Sequence, residues 1–302
     1  MKKNNQYKYG FHDTVDSKVK LSKGLNEQVI RTISKAKNEP QWMLEKRLEA
    51  FKLFKKLKNP KWGPDLSHIN FDEYTYYVKN SEGIANDWKD VPKKIKDTFK
   101  RLKVSEAEAK FLSGVNNQYD SEVVYNKIQE ELAKQHVIFC NIEKALQICP
   151  EIVKKYFGKL VPASDNKYAA LNTAVWSGGS FIYIPKGVKL TKPLQAYFRI
   201  NTRQMGQFER TLIIVEDHAT LSYIEGCTAP IYDKNNLHAA VVEVFVHEHA
   251  TCRYTTIQNW SDNVLNLVTK RAKCEAHAIM EWIDGNIGSK LNMKYPATWL
   301  VG

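Results

Sequence analysis

Any chemistry in this 302-residue chain would have to be built around Cys227, in the stretch Tyr223-Ile224-Glu225-Gly226-Cys227-Thr228-Ala229-Pro230. The flanking Gly226 and Pro230 hold a backbone off a regular ladder, so a turn between strands that exposes the sulfur is expected. Only a thiolate is a good nucleophile, and it needs a nearby cation, for which Lys270 or Arg271 would serve. A small buried structural thiol is the other reading, and the residues leave both open. Gln258-Asn259-Trp260 adds two amides and an indole at a strand end. They could hydrogen-bond a bound sulfur species, or form an amide ladder between stacked turns.

Other groupings say less. His247-Glu248-His249 would place two imidazoles on one face of a strand, but two histidines without further ligands make a poor metal site, and a surface pair is expected. Cys274 and His277 are similarly incomplete. Cys140 and Cys149 lie on apolar faces and read as buried thiols. No G-x-x-x-x-G-K-S/T, G-x-G-x-x-G or H-E-x-x-H occurs, which argues against an intrinsic NTPase, a Rossmann dinucleotide domain and a zincin. The five cysteines are odd in number and form no C-x-x-C, so a reducing compartment is expected rather than a disulfide framework.

The elements that must position Cys227 announce themselves by repetition. His218-Ala219-Thr220-Leu221-Ser222-Tyr223 returns 31 residues later as His249-Ala250-Thr251-Cys252-Arg253-Tyr254, and the same step carries Cys227 onto Gln258. A strand-forming repeat at fixed period predicts stacked rungs, with the thiol and the amide one above the other. From about residue 166 short strand runs follow closely, punctuated by Gly178-Gly179, Pro185-Lys186-Gly187 and Asp284-Gly285. Residues 166–302 are therefore expected to form a right-handed parallel β-helix.

Residues 1–165 are expected to form a separate helical, α+β domain. Its helices are expected at Leu25–Ala36, from Pro40 to Asn59, at Lys93–Leu102, at Ser105–Ser113 from a capping-box spacing, and at Ile142–Phe157 with a kink at Pro150. Strands are expected at Tyr74–Val78, Val123–Tyr125 and Val137–Cys140. Residues 1–110 hold 25 of the 45 Lys/Arg against 15 of the 33 Asp/Glu, so most of the net +12 sits there. The lysines fall on polar helix faces without an aromatic stripe, which favours solvated helices over a nucleic-acid surface. No apolar run approaches the ~18–20 residues that span a bilayer, so membrane insertion is not expected, and Met1–Gln6 lead into no signal-like apolar segment.

Several blocks, in order, resemble the SufB/SufD family of the SUF iron–sulfur cluster assembly system, and within it the SufB-type scaffold: Lys37-Asn38-Glu39-Pro40-Gln41-Trp42-Met43-Leu44, Tyr197-Phe198-Arg199-Ile200-Asn201, Gly206-Gln207-Phe208-Glu209-Arg210-Thr211, the Cys227 stretch, Gln258-Asn259-Trp260 and Val268-Thr269-Lys270-Arg271. The resemblance implies a scaffold rather than an enzyme. Cys227 would accept sulfur, with Arg199, Asn201, Gln258, Trp260 and Lys270 lining its route inside the β-helix. Implied partners are a SufC-like ATPase, a SufD-like paralogue or second SufB copy, and a sulfur-transfer protein with its cysteine desulfurase. Implied cofactors are a transient Fe–S cluster and, in some complexes, reduced flavin; the compartment would be the cytoplasm or a plastid-type stroma. The family continues into further rungs and a helical domain, so the chain reads as truncated, short of the second functional cysteine and the SufC surface. Rival readings are a SufD-like partner without cluster chemistry and a carbohydrate-active β-helix enzyme.

Overall fold

The structure, a computed structural model, describes residues 7–104 and 112–302. The helix expected from Ser105 lies outside the described residues. Two helices follow the first short strand. In α1 (Glu27–Ala36), the Asn26 side chain accepts from the Val29 amide, satisfying one of the unpaired donors of the first turn. Its buried face is Val29, Ile30 and Ile33. α2 (Gln41–Lys56) starts after Pro40 and buries Met43, Ala50, Phe51 and Phe54. Short β1 (Val19–Lys20) and β2 (Val78–Lys79) pair antiparallel, so the expected Tyr74–Val78 strand shrinks to its end. α3 (Lys93–Arg101) follows.

Residues 114–128 form a hairpin, β3 (Gly114–Tyr119) and β4 (Glu122–Ile128). β3 has no apolar alternation to advertise it. Its polar side chains are nevertheless buried, because Asn116 donates to the Gly179 carbonyl and Gln118 accepts from the Gly179 amide. α4 (Glu130–Lys134) and β5 (Ile138–Cys140) lead to α5 (Ile142–Ile148) and α6 (Pro150–Tyr156). Pro150 interrupts what the periodicity reads as one helix, since it lacks the N–H that would continue the ladder. α7 (Lys167–Val175), capped by Asn166, is buried on every side. With no polar face it has no helical periodicity, and it lies where only strands are expected.

Then come β6 (Phe181–Ile184), β7 (Leu194–Arg199), β8 (Gly206–Gln207), β9 (Arg210–Val215), β10 (Thr220–Thr228), β11 (Asn236–His238), β12 (Val241–Val246), β13 (Thr251–Trp260), β14 (Val264–Cys274), β15 (Ile279–Gly288) and β16 (Leu291–Leu300). They stack in parallel as a β-solenoid of about four turns. One sheet runs β15-β13-β10-β7-β3-β4; the other runs β5-β6-β9-β12-β14-β11-β8, with β16 on β14. The expected β-helix is thus observed, and two strands from before residue 165, β3 and β4, join its first sheet, with β5 joining the second.

The repeat has a structural cause. His218, His249 and His277 each take a left-handed conformation at the corner between the sheets, with φ of 57°, 55° and 56°. Their rings stack at 4.9 and 4.7 Å. The alanine that follows His218 and His249 is buried, and the next threonine starts a strand. The spacing is 31 residues between Ser222–Arg253 rung partners and 28 between Arg253 and Glu281, so one turn is shorter.

Candidate functional site

Strand alternation decides which side chains enter the solenoid. On β10 the inward residues are Leu221, Tyr223, Glu225 and Cys227; on β13 they are Cys252, Tyr254, Thr256, Gln258 and Trp260. Near the His-Ala corner this interior is apolar: Ile184, Val215, Leu221, Val246, Ala250, Cys252 and Cys274 pack together. Toward the far ends of the strands it becomes polar, and there Cys227 sits.

Cys227 is within a strand and 1% exposed, not in a turn that presents the sulfur. Its Cα partners on the neighbouring strands are Gln258 and Phe198, so the predicted stacking of thiol on amide is observed. Gly226 belongs to the ladder because Tyr197 lies against it; an added Cβ would come within 2.8 Å of that ring. Two polar groups face the sulfur. Sγ lies 3.8 Å from Oε1 of Glu225 and 4.0 Å from Nε2 of Gln258. Burial first, and then the charges of Glu225 and Glu209, push the thiol well above its ordinary pKa, while Lys294 and Lys270 pull the other way.

The orientation of Gln258 is set from behind. Asn266 donates its amide to Gln258 Oε1 at 2.7 Å and to Asn292 Oδ1 at 2.6 Å. That leaves Asn266 Oδ1 facing His238 Nδ1 at 2.6 Å, while His238 Nε2 meets the Glu209 carboxylate. Both imidazole nitrogens therefore face acceptors, which fits a protonated ring. Burial opposes that charge, but Glu209 and the bond to Asn266 outweigh it and raise the pKa of His238. The chain Glu209–His238–Asn266–Gln258 thus aims an amide N–H at Cys227. Trp260 packs over His238 at 4.9 Å, and its buried indole N–H has no partner among the described residues.

Lys270 and Arg271 part company by alternation. Lys270 points inward, 0% exposed, to Thr256 Oγ1 at 2.6 Å and Asp284 Oδ1 at 3.3 Å. Burial, helped by Lys294, pushes it down to about 8. Arg271 points outward to Asp165 and the Tyr295 ring. Lys294 meets Asp284 at 2.5 Å and Asn286 at 3.1 Å, extending the polar interior to the last rung described. This lysine, Glu225, His238 and Asn266 escaped sequence reasoning. Glu225 was legible two residues before Cys227, on its face of the strand.

Arg199 and Asn201 are not brought together with Cys227. Phe198 faces inward, so Arg199 faces out, where it donates to the Tyr9 and Phe11 carbonyls and lies 4.8 Å from the Phe11 ring. The Asn201 side chain accepts from the Asp13 amide at 3.1 Å and donates to the Asp13 carbonyl at 2.8 Å. Together they clasp an amino-terminal arm across the ends of β7 and β10; the arm also reaches Ile231 through Gly10 and β13 through Tyr7.

Metal-ligand geometry lies elsewhere. His247 follows β12 rather than lying in it, and bonds Glu275 and Tyr156, while His249 stacks between His218 and His277. The two imidazoles do not share a face as expected. Among the described residues, Glu216, Asp217 and His247 place ligand atoms within 4.8 Å of one another, but Lys186 already holds Asp217. The cysteines Cys140, Cys149, Cys227, Cys252 and Cys274 are free thiols. Around Cys227 the side chains of Tyr223, Glu225, Gln258 and Trp260 are all buried. Among the described residues, no helix is long and apolar enough to cross a membrane.

Comparison with known proteins bears on the whole chain. A model described as "SUF system FeS cluster assembly, SufBD core domain" matches residues 198–302, and one described as "SufBD protein N-terminal region" matches residues 24–196. An "iron-sulfur cluster assembly SufBD family protein" of Staphylococcus aureus strain MRSA252 is 58% identical over 98% of this chain. Its counterparts in S. aureus strain USA300 and in Staphylococcus haemolyticus strain JCSC1435 are each 57% identical over the same share. The chain spans 64% of the length of each of these relatives.

Proposed function

Because the chain belongs to the SufBD family of iron–sulfur cluster assembly proteins, we propose that it acts in the SufB manner, as the scaffold subunit that accepts sulfur at Cys227 and guides it through the β-helix interior toward a nascent cluster. The observation that carries this reading is the one-sided polarity of the solenoid core. A buried thiol lies between a carboxylate and an aimed amide, and continues into Lys270, Asp284 and Lys294. Burying such groups costs several kcal/mol unless they are paired, and an apolar filling would be more stable. A persulfide is anionic near neutral pH, and Gln258 Nε2–H with the two lysines supplies donors and positive charge along one side. The Fe–S cluster is cargo in this reading.

ATP hydrolysis is assigned to a separate SufC-like subunit, since the chain has no phosphate-binding loop of the Walker type. A SufD-like paralogue or second SufB copy, and a transfer protein charged by a cysteine desulfurase, complete the complex. Five free thiols suit a reducing cytoplasm or plastid-type stroma. The test is to incubate the protein with a desulfurase and its transfer partner and to read Cys227 by peptide mass spectrometry. A gain of one sulfur atom at Cys227 is expected. An unmodified Cys227, with the transfer protein still charged, would leave the SufD-like structural role as the better description.

A further inference from the structure

We propose that Glu225 is the proton acceptor that makes the Cys227 thiol reactive, a role that rests on the sulfur-accepting reading above. The two residues lie two apart on β10, so their side chains enter the solenoid on one face, and Oε1 of Glu225 is 3.8 Å from Sγ. The other carboxylate oxygen is occupied, because the Tyr254 hydroxyl donates to Oε2. Oε1 is thus the oxygen left to take a proton. On the opposite side Gln258 Nε2 offers a donor, so the sulfur sits between a group that can remove its proton and one that can stabilise the resulting anion.

The surroundings make an internal base necessary. Cys227 is 1% exposed, which shuts out bulk water as proton acceptor and disfavours the bare thiolate. The same burial raises the pKa of Glu225, making its carboxylate a stronger base than a surface glutamate. The charged and titratable groups around the pair are Tyr223 on its own strand, Tyr254, Glu209, His238, Lys270 and Lys294. His238 is engaged by Glu209 and Asn266, and Lys270 by Thr256 and Asp284.

The step is a thiol exchange without net oxidation. Glu225 takes the Cys227 proton; the thiolate attacks the terminal sulfur of the donor persulfide; a new S–S bond forms at Cys227 as the donor's S–S bond breaks. The donor leaves as a thiolate, and the proton held by Glu225 neutralises it. The atoms are those of one thiol and one persulfide on each side.

Two measurements test this on the full chain. In the first, persulfide formation at Cys227 is followed against pH in wild type and E225Q, a variant that keeps the size of the side chain. E225Q is expected to be slower by about 10²-fold near neutral pH, the usual scale for losing a positioned base, and to recover as pH rises and the thiol ionises unaided. In the second, thiolate formation at Cys227 is read by pH-dependent alkylation with mass-spectrometric detection. E225Q is expected to ionise at lower pH than wild type, because a neighbouring negative charge is gone.

An E225Q rate reduced equally at every pH means a merely structural glutamate and overturns the proposal. An unchanged rate profile overturns it too. Failure of wild type to take up sulfur at any pH strikes the sulfur-accepting reading itself, while the alkylation shift still reports whether the carboxylate faces the thiol. If E225Q does not fold, Y254F serves instead. Losing the hydroxyl from Oε2 makes the carboxylate more basic, so the midpoint of the rate profile is expected to move up in pH; an unmoved midpoint overturns the proposal.

Discussion

Cys227 and Cys252 occupy the inward faces of adjacent strands in one β-helix, and solvent reaches neither, yet they sit in two different interiors. Cys252 lies in register with Leu221 and Met280 and has Cys274 for a neighbour. Cys227 lies in register with Phe198 and Gln258, with Glu225 beside it. Burial raises both thiols above their ordinary range, so burial cannot be what distinguishes them. The difference lies in the adjacent acceptor and donor. In the apolar half a thiol behaves as a small hydrophobe. In the polar half it is tied to a carboxylate, an amide and, through Asn266, a buried ion pair. The same scaffold therefore has one apolar half and one polar half, and the polar half comes at a cost in stability.

Exchanging the roles of the thiols tests that contrast most severely. C227A is expected to abolish persulfide formation to below detection by peptide mass spectrometry, while C252A leaves uptake at Cys227 unchanged. Uptake surviving in C227A would erase the distinction. Next in size is the ion pair that orients Gln258. H238L leaves Glu209 buried without its cation, and is expected to lower unfolding free energy by about 3–5 kcal/mol in equilibrium urea titrations. A loss well under 1 kcal/mol would show that the polar half tolerates an unpaired carboxylate.

Lys270 should respond in the opposite sense. Its pKa is pushed down to about 8 in the fold, against about 10.4 in an unfolded chain. Below pH 8 the charged lysine therefore penalises the folded state. Between those values the unfolded chain binds more protons, and stability from this residue rises with pH. K270M, which leaves Asp284 paired with Lys294, is expected to be more stable than wild type at pH 7 by on the order of 3 kcal/mol, with the gain shrinking above pH 8. Urea midpoints at pH 7 and pH 9 check it; an equal gain at both would remove Lys270 from the account. The smallest effect belongs to the apolar half, where C252V is expected to change stability by less than about 1.5 kcal/mol.

Much of this arrangement was legible in the sequence. The His-Ala-Thr repeat gave the rungs because each of its residues answers to local geometry: a left-handed corner, a small inward residue, a strand start. The period carried Cys227 onto Gln258 because a parallel ladder preserves register. Alternation would also have separated Lys270 from Arg271 and put Arg199 outside, since Phe198 claims the inward position. Gly226 and Pro230 misled, because a glycine can mark a close neighbour as readily as a turn, and here the neighbour is the Tyr197 ring.

What only the tertiary structure decided is what required different strands to meet. β3 is held as a buried strand because its Asn116 donates to Gly179 and Ser180 and its Gln118 accepts from the Gly179 amide, not because of any pattern of its own. α7 is a helix with no polar face because the solenoid and α2 enclose it. The environment of Cys227 joins residues 209, 225, 238, 258 and 266 from several strands and both sheets. Periodicity records what each residue does relative to its own chain neighbours, and so it fixed the β-helix. The surroundings of Cys227 depend on which side chains that helix folds into contact, and spacing along the chain carries no such distance.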